Sequence, residues 1–134
     1  MEKRLLQLAV AIAGLVPVSA GLGGALLGPA LQGQAGDAAL DSHYRYLSGL
    51  LLGIGLLFWS TIPRIERHGA RFGLLTLIVV TGGFCRAIGA LFIGPPGLIM
   101  SLALGMELVV TPALYLWRQR VARIAGVDAA TDGR

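Results

Sequence analysis

Residues 72–117 read FGLLTLIVVTGGFCRAIGALFIGPPGLIMSLALGMELVVTPALYLW, two apolar runs joined by a short turn. The runs, 72–93 and 98–117, are each close to the length of about 20 apolar residues that a helix needs to cross a bilayer. The turn Gly94-Pro95-Pro96-Gly97 combines prolines, which lack the helical N–H donor, with conformationally free glycines. This pattern predicts two antiparallel membrane helices that are neighbours in space.

Two further apolar runs, 5–31 and 44–62, precede this pair, and the first of them contains no charged residue. Residues 32–42, which lie between them, are polar and rich in glycine, alanine and aspartate, as loops are. Residues 118–134 are predicted to be a charged cytoplasmic tail that begins as an interfacial helix and then frays. We therefore expect an all-α fold, an integral membrane bundle of four helices that forms one domain over 1–134.

The first run also allows a second interpretation, a cleaved secretory signal peptide. Lys3 and Arg4 would be its charged start and Val18-Ser19-Ala20 its small-residue cleavage site. Because the apolar run continues from Ala20 to Leu31, the pattern favours an uncleaved membrane helix.

The composition is typical of a chain that lies mostly in lipid. Hydrophobic residues make up 55% of the 134 residues and charged residues only 13%, well below the share in a water-soluble domain. The net charge of +4 would suggest nucleic-acid binding in a soluble protein. Here the basic residues flank the apolar runs, which is the pattern that sets membrane topology, and no nucleic-acid partner is expected.

Lysine and arginine are unevenly distributed between the two ends of the predicted helices. Nine of the eleven lie before the first run, between the second and third runs, or after the fourth run. The other loops and their borders carry only Arg45. The positive-inside rule therefore predicts that both termini are cytoplasmic.

Two charged residues interrupt the third and fourth runs. Arg86 lies about 10 Å and Glu107 about 14 Å from the turn end of their helices, at about 1.5 Å per residue. Each would cost about 2.5–3.5 kcal/mol or more near the bilayer centre, so we expect the two to pair or to face water in a cavity. One interpretation is a structural ion pair that fixes helix register. The other is a pocket in which Arg86 binds an anionic or carbonyl group and Glu107 orients it or relays a proton.

Arg45 and Tyr46 lie at the outer end of the second run, on the same predicted side of the membrane as the turn 94–97, and are further candidates for ligand binding, with Arg45 as a second partner of Glu107 or a gate. The alternative is an interfacial belt whose arginine extends to the lipid head groups. His43 and His68 fall on opposite sides of the predicted membrane, and no cysteine or histidine spacing suggests a metal site. We therefore expect neither a metal nor another cofactor.

Small residues recur at helical spacings, which favours close helix packing in lipid, where the hydrophobic effect does not drive association. The predicted packing positions are Gly21, Gly24, Gly28, Gly49, Gly53 and Gly82. These faces pack within the monomer under one interpretation and form the seam of a homo-oligomer under the other.

Several short segments together suggest a family. They are Arg45-Tyr46-Leu47-Ser48-Gly49, Gly82-Gly83-Phe84-Cys85-Arg86, Gly94-Pro95, Glu107 and Pro112. In these segments the chain resembles the domain-of-unknown-function family DUF4345, which consists of short four-helix bacterial membrane proteins. The resemblance runs from the first helix to about Trp117. It implies one compact bundle in the bacterial inner membrane and brings no known activity, substrate or cofactor.

The function is open at this point, because no catalytic, nucleotide-binding or zinc motif is present and an enzyme is the less favoured class. We expect a membrane protein that binds a small amphiphile, such as a lipid, a quinone or a hydrophobic metabolite, near Arg86 and Glu107. The alternatives are a structural or accessory subunit of a membrane complex and a small transporter, which would have to be dimeric. The expected partners are the bilayer, a lipid-like molecule, and a second copy or another membrane protein.

Overall fold

The computed structural model of the protein describes residues 1–34 and 36–131, with 127–131 described by their backbone alone, and the regular elements there are all helical. The α-helices are α1 (Glu2–Leu27), α2 (Ala38–Thr61), α3 (Gly69–Ile93), α4 (Leu98–Gly105) and α5 (Thr111–Thr131). The turns Gly28–Gln32 and Ile62–Arg64 extend α1 and α2 as 3₁₀-helices, and the turn Met106–Val110 joins α4 to α5 as a π-helix.

Four helical segments of the described residues are long and apolar enough to cross a membrane. They are Glu2–Gln32, Ala38–Arg64, Gly69–Ile93 and Leu98–Gly126. The prediction of an all-helical chain with four membrane-length helices is therefore confirmed. Large apolar side chains cover the outside of these helices, with Phe92 85% and Ile93 92% exposed.

Helix α2 begins at Ala38, so the predicted loop over 32–42 is wrong for its last five residues. The side chain of Asp37 accepts a hydrogen bond from the backbone N–H of Leu40 at 2.8 Å and caps the helix. The polar composition of this segment favoured a loop, although Asp37 is a typical N-cap residue and marks the start of the helix. Helix α5 runs through Thr131, and the last three residues of the predicted tail lie outside the described residues.

The packing divides the chain into two compact units, the first of which is Gln7–Pro63. In it, α1 and α2 are antiparallel: the Gln7 amide donates to the carbonyl of Ile62 at 2.6 Å, and the indole N–H of Trp59 donates to the carbonyl of Ala11 at 3.1 Å. Both bonds join a side chain of one helix to the backbone of the other. They fix how far one helix slides along the other.

Glycines in α1 allow the two backbones of this unit to come very close. A Cβ added at Gly21 would lie 2.5 Å from the backbone nitrogen of Leu52, and a Cβ added at Gly24 would overlap the hydroxyl of Ser48. Gly28 has a φ of 61° and lies beside the carboxylate of Asp41. At each of these positions a larger side chain would push α2 away.

The second unit consists of residues 1–6 and 64–134. In it, α3 runs antiparallel to the continuous helix formed by α4, the π-helical turn and α5. The rings of Phe72 and Tyr115 stack with their centroids 6.4 Å apart. At the other end the predicted turn is present, because Gly94 and Gly97 adopt φ values of 109° and 83° that residues with a Cβ rarely adopt.

Candidate functional site

Arg86 of α3 and Glu107 of the π-helical turn form a bidentate ion pair. Nε of Arg86 donates to Oε2 of Glu107 at 3.1 Å, and Nη2 donates to Oε1 at 3.0 Å. Two parallel N–H···O bonds match the planar guanidinium to the planar carboxylate, which is the strongest form of this contact. The two charges that interrupt the third and fourth apolar runs therefore neutralise each other.

The π-helical turn that carries Glu107 has a local cause in Pro112. Proline has no N–H to donate to the carbonyl of Leu108 four residues earlier, and its ring crowds that carbonyl. The helix widens instead, and the backbone N–H of Thr111 donates to the carbonyl of Met106 five residues earlier. The hydroxyl of Thr111 donates to the same carbonyl at 2.9 Å. Sequence reasoning missed this turn, although Pro112 inside an apolar run was its signal, and π-helical turns are frequent at functional sites.

Gly83 brings α3 close enough for the pair to form. It is buried, and a Cβ added there would lie 2.7 Å from Cδ2 of Leu108 and 3.0 Å from Cβ of Glu107. Gly83 lies one helical turn before Arg86, on the same face of α3. The glycine therefore sets the distance between the helix that carries the arginine and the turn that carries the glutamate.

The guanidinium of Arg86 keeps unused hydrogen-bonding capacity. Of its five N–H groups, two donate to Glu107, and one on Nη1 donates to Sδ of Met100 at 3.1 Å, a weak acceptor. The remaining two have no acceptor among the residues whose side chains the structure describes. The side chain of Arg86 is 36% exposed and that of Glu107 19%. The open part of the pair is thus the edge of the guanidinium beside Met100.

Arg45 is occupied in a different way, as a cap for the end of α1. Its Nε donates to Oδ2 of Asp41 at 2.7 Å, and its Nη1 donates to the carbonyls of Ala25 and Leu26, both at 2.8 Å. The carbonyl of Ala25 needs this donor because the residue four positions later is Pro29, which has no N–H. All of these partners belong to the unit Gln7–Pro63.

The other predicted site residues lie on helix faces that are exposed or half-buried. Tyr46 is 65% exposed and makes no hydrogen bond with any residue that the structure describes. At Gly49, Gly53 and Gly82, an added Cβ would have no described atom within 4 Å apart from its chain neighbours and the backbone of its own helix. Among the described residues, no three histidine, cysteine, aspartate or glutamate side chains are grouped so that they could bind a metal ion.

Charged groups meet at the start of α3 in the second unit. Arg118 donates to the carbonyl of Ile65 at 3.0 Å and to the carbonyl of Glu66, and Nζ of Lys3 lies 3.1 Å from Oε1 of Glu66. Burial raises the pKa of Glu66, but its own backbone N–H, Lys3 and the charge of Arg67 outweigh burial and leave that pKa lowered. Glu66 therefore stays ionised at neutral pH as a link between the chain start and the turn before α3.

One comparison with known proteins matches most of the chain. A family model described as a domain of unknown function, DUF4345, matches residues 5–118, which confirms the family resemblance. The matched range includes Arg86, Glu107 and Pro112. No curated protein and no solved structure matches the chain.

Proposed function

The chain belongs to the DUF4345 family, and from that premise we propose that it is an integral protein of the bacterial inner membrane that binds a small amphiphile at the Arg86–Glu107 pair. The family description assigns no function, so the proposal depends on the residues of this chain. Both termini would be cytoplasmic, because the basic residues flank the helices on one side.

Four apolar helices with exposed apolar side chains support the membrane location. Large contiguous apolar surface is rare on soluble monomers, whereas in a bilayer it contacts acyl chains. A spanning segment must also satisfy its backbone hydrogen bonds within the protein. The carbonyl of Ala25 illustrates this, because Pro29 removes its helical donor and Arg45 replaces that donor.

The single observation that carries the ligand proposal is the open edge of the Arg86 guanidinium. In the hydrocarbon region, an N–H group without an acceptor costs several kcal/mol by order of magnitude. Two N–H groups of Arg86 are left without an acceptor among the described side chains, and the side chain is 36% exposed. An oxygen atom of a bound amphiphile would supply the missing acceptor.

The charge balance of the pair selects the class of ligand. Glu107 already neutralises Arg86, so a bound anion would be repelled by the carboxylate and left with no countercharge. A neutral acceptor, such as the carbonyl of a quinone or of an ester, gains the hydrogen bond without that cost. The rest of the molecule would lie against exposed apolar side chains beside the pair, such as Ile99, which precedes Met100 in α4 and is 77% exposed.

Native mass spectrometry of the protein in a mild detergent tests this proposal. The informative variant is Arg86→Met/Glu107→Gln, which removes both charges together, because loss of one partner leaves an unpaired buried charge and costs about 3–5 kcal/mol. The control is Lys3→Met/Glu66→Gln, which removes an ion pair between the start of α1 and the turn before α3, away from Arg86. We expect a stoichiometric bound mass in the wild type and the control that is absent from the Arg86 variant. A folded Arg86 variant that retains the same mass would refute the proposal.

A second function, as a structural or accessory subunit of a membrane complex, is favoured by a different observation. Both carboxylate oxygens of Glu107 are occupied by Arg86, as in a brace that fixes helix register. The open glycines Gly49, Gly53 and Gly82 would admit a helix of a partner or of a second copy. Under this function the wild type carries only random lipid, and Gly53→Leu disrupts an oligomer or a co-purifying complex.

A further inference from the structure

A shallow cleft on α5 places positive charge beside apolar surface. Its lining residues are Leu116, Gln119, Arg120, Arg123 and Ile124, which we call the α5 cleft. We propose that the α5 cleft binds the phosphate of an anionic phospholipid, with Arg120 and Arg123 as the cationic groups. This inference rests on the membrane location proposed above and is independent of the ligand at Arg86.

The arginines of α5 differ in how far the protein already occupies them. Arg118 donates to the backbone carbonyls of Ile65 and Glu66 and so has a structural role. Arg120 uses Nη2 for one contact with Glu2, at 3.1 Å, and its side chain remains 70% exposed. Arg123 is exposed and makes no hydrogen bond or ion pair with any residue whose side chain the structure describes. Two guanidinium groups are therefore available to one phosphate.

The positions along the helix match the shape of a lipid. Leu116, Arg120 and Arg123 follow one another at spacings of four and three, so they share one face of α5. At about 1.5 Å per residue, Leu116 lies about 6 Å from Arg120 and about 10 Å from Arg123 along the axis. Leu116 is the next-to-last residue of the apolar run 98–117, so it lies nearer the bilayer than the two arginines, and its side chain is 63% exposed. A phosphate at the arginines thus directs the acyl chains over Leu116 into the bilayer.

The neighbouring groups decide on which side of Arg120 the phosphate lies. Glu2 lines a separate cleft together with Leu116, Trp117 and Arg120, and its carboxylate would repel a phosphate there. The α5 cleft has Gln119 in place of a carboxylate, and the amide of that residue supplies a further N–H donor. A soluble anion would gain nothing from Leu116 and Ile124, whereas a phospholipid covers both.

Lipid binding to the full-length protein in mild detergent at physiological salt tests the site, because salt screens diffuse charge attraction over more than about 8 Å. Phosphatidylglycerol and phosphatidylcholine are titrated against the wild type and Arg120→Gln/Arg123→Gln. The control, Arg4→Gln/Arg64→Gln, also removes two positive charges. Both arginines are exposed and belong to the same unit, but neither lines the α5 cleft. Bound lipids are counted by native mass spectrometry.

We expect one phosphatidylglycerol to bind tightly to the wild type, and its affinity to fall at least tenfold more in Arg120→Gln/Arg123→Gln than in the control. Equal losses in the two double variants would overturn the site, because they would show that only diffuse charge attraction acts. Unchanged affinity in both, or equal binding of phosphatidylcholine, would overturn it as well. Resistance of the wild type to alkaline extraction from membranes reports separately on the membrane location, and the mass retained at Arg86 reports on the amphiphile.

Discussion

Alanine in place of Gly21 is expected to separate α1 from α2, and the structure sets the size of the effect. The new Cβ would lie 2.5 Å from the backbone nitrogen of Leu52, which is 0.9 Å below the 3.4 Å at which ordinary contact begins. The next nearest atoms, Cα of Leu52 and the carbonyl oxygen of Ser48, are both 2.8 Å away. Because all three belong to the backbone, no side chain can rotate to relieve the clash, and the helices must move apart.

Such overpacking costs about 1–3 kcal/mol, and a clash with backbone belongs in the upper part of that range. Alanine is better than glycine inside a helix by about 1 kcal/mol, which offsets part of the cost. Gly53→Ala is the matched control, since Gly53 lies on α2 and its added Cβ would meet no described atom of another helix within 4 Å. The gain in helix propensity from glycine to alanine is the same in both variants. Their free energies of unfolding should therefore differ by the overpacking cost alone, about 1–3 kcal/mol.

Reversible unfolding in mixed micelles, followed by the fluorescence of Trp59, measures both variants. Trp59 is a suitable probe because its indole N–H bonds to the carbonyl of Ala11 on α1, and separation of the helices lengthens that bond. We expect Gly21→Ala to destabilise the protein and Gly53→Ala to be neutral or stabilising. Equal free energies of unfolding for the two variants would refute the close α1–α2 contact.

Two further outcomes follow from the caps and charges. Arg45→Gln is expected to lower the free energy of unfolding of the unit Gln7–Pro63, because the carbonyl of Ala25 loses its replacement donor. Hydrogen exchange over 28–34 should accelerate, and Tyr46→Phe, which changes an exposed side chain, should alter neither quantity. The lowered pKa of Glu66 means that its contribution to stability is present above the ordinary glutamate pKa and is lost as the pH falls through the lowered value. The melting temperature should therefore fall on acidification, with Glu66 accounting for a loss of less than about 1 kcal/mol in the free energy of unfolding. Glu66→Gln should reduce that fall. An equal fall in the variant would show that Glu66 does not stabilise the protein through its ionised form.

The Arg86–Glu107 pair could be predicted from the sequence, whereas the π-helical turn that carries Glu107 could not. Arg86 and Glu107 lie on either side of a turn whose glycines and prolines permit one sharp reversal, so two antiparallel helices bring them to similar depths. The π-helical turn was missed because one missing donor at Pro112 can end, kink or widen a helix. Only the structure, in which the N–H of Thr111 donates to the carbonyl of Met106 five residues earlier, shows that the helix widens.

The sequence by itself determined the helical class and the four membrane-length segments, because hydropathy and length depend on each segment alone. Tertiary structure decided at which glycines two helices pack closely. Gly21 and Gly53 both belong to series of small residues at helical spacings, but only Gly21 lies against the backbone of a neighbouring helix. It also decided the role of Arg45, whose partner Ala25 is 20 residues away in sequence. An arginine's charge is evident from sequence, but which oxygen it reaches depends on how the helices pack.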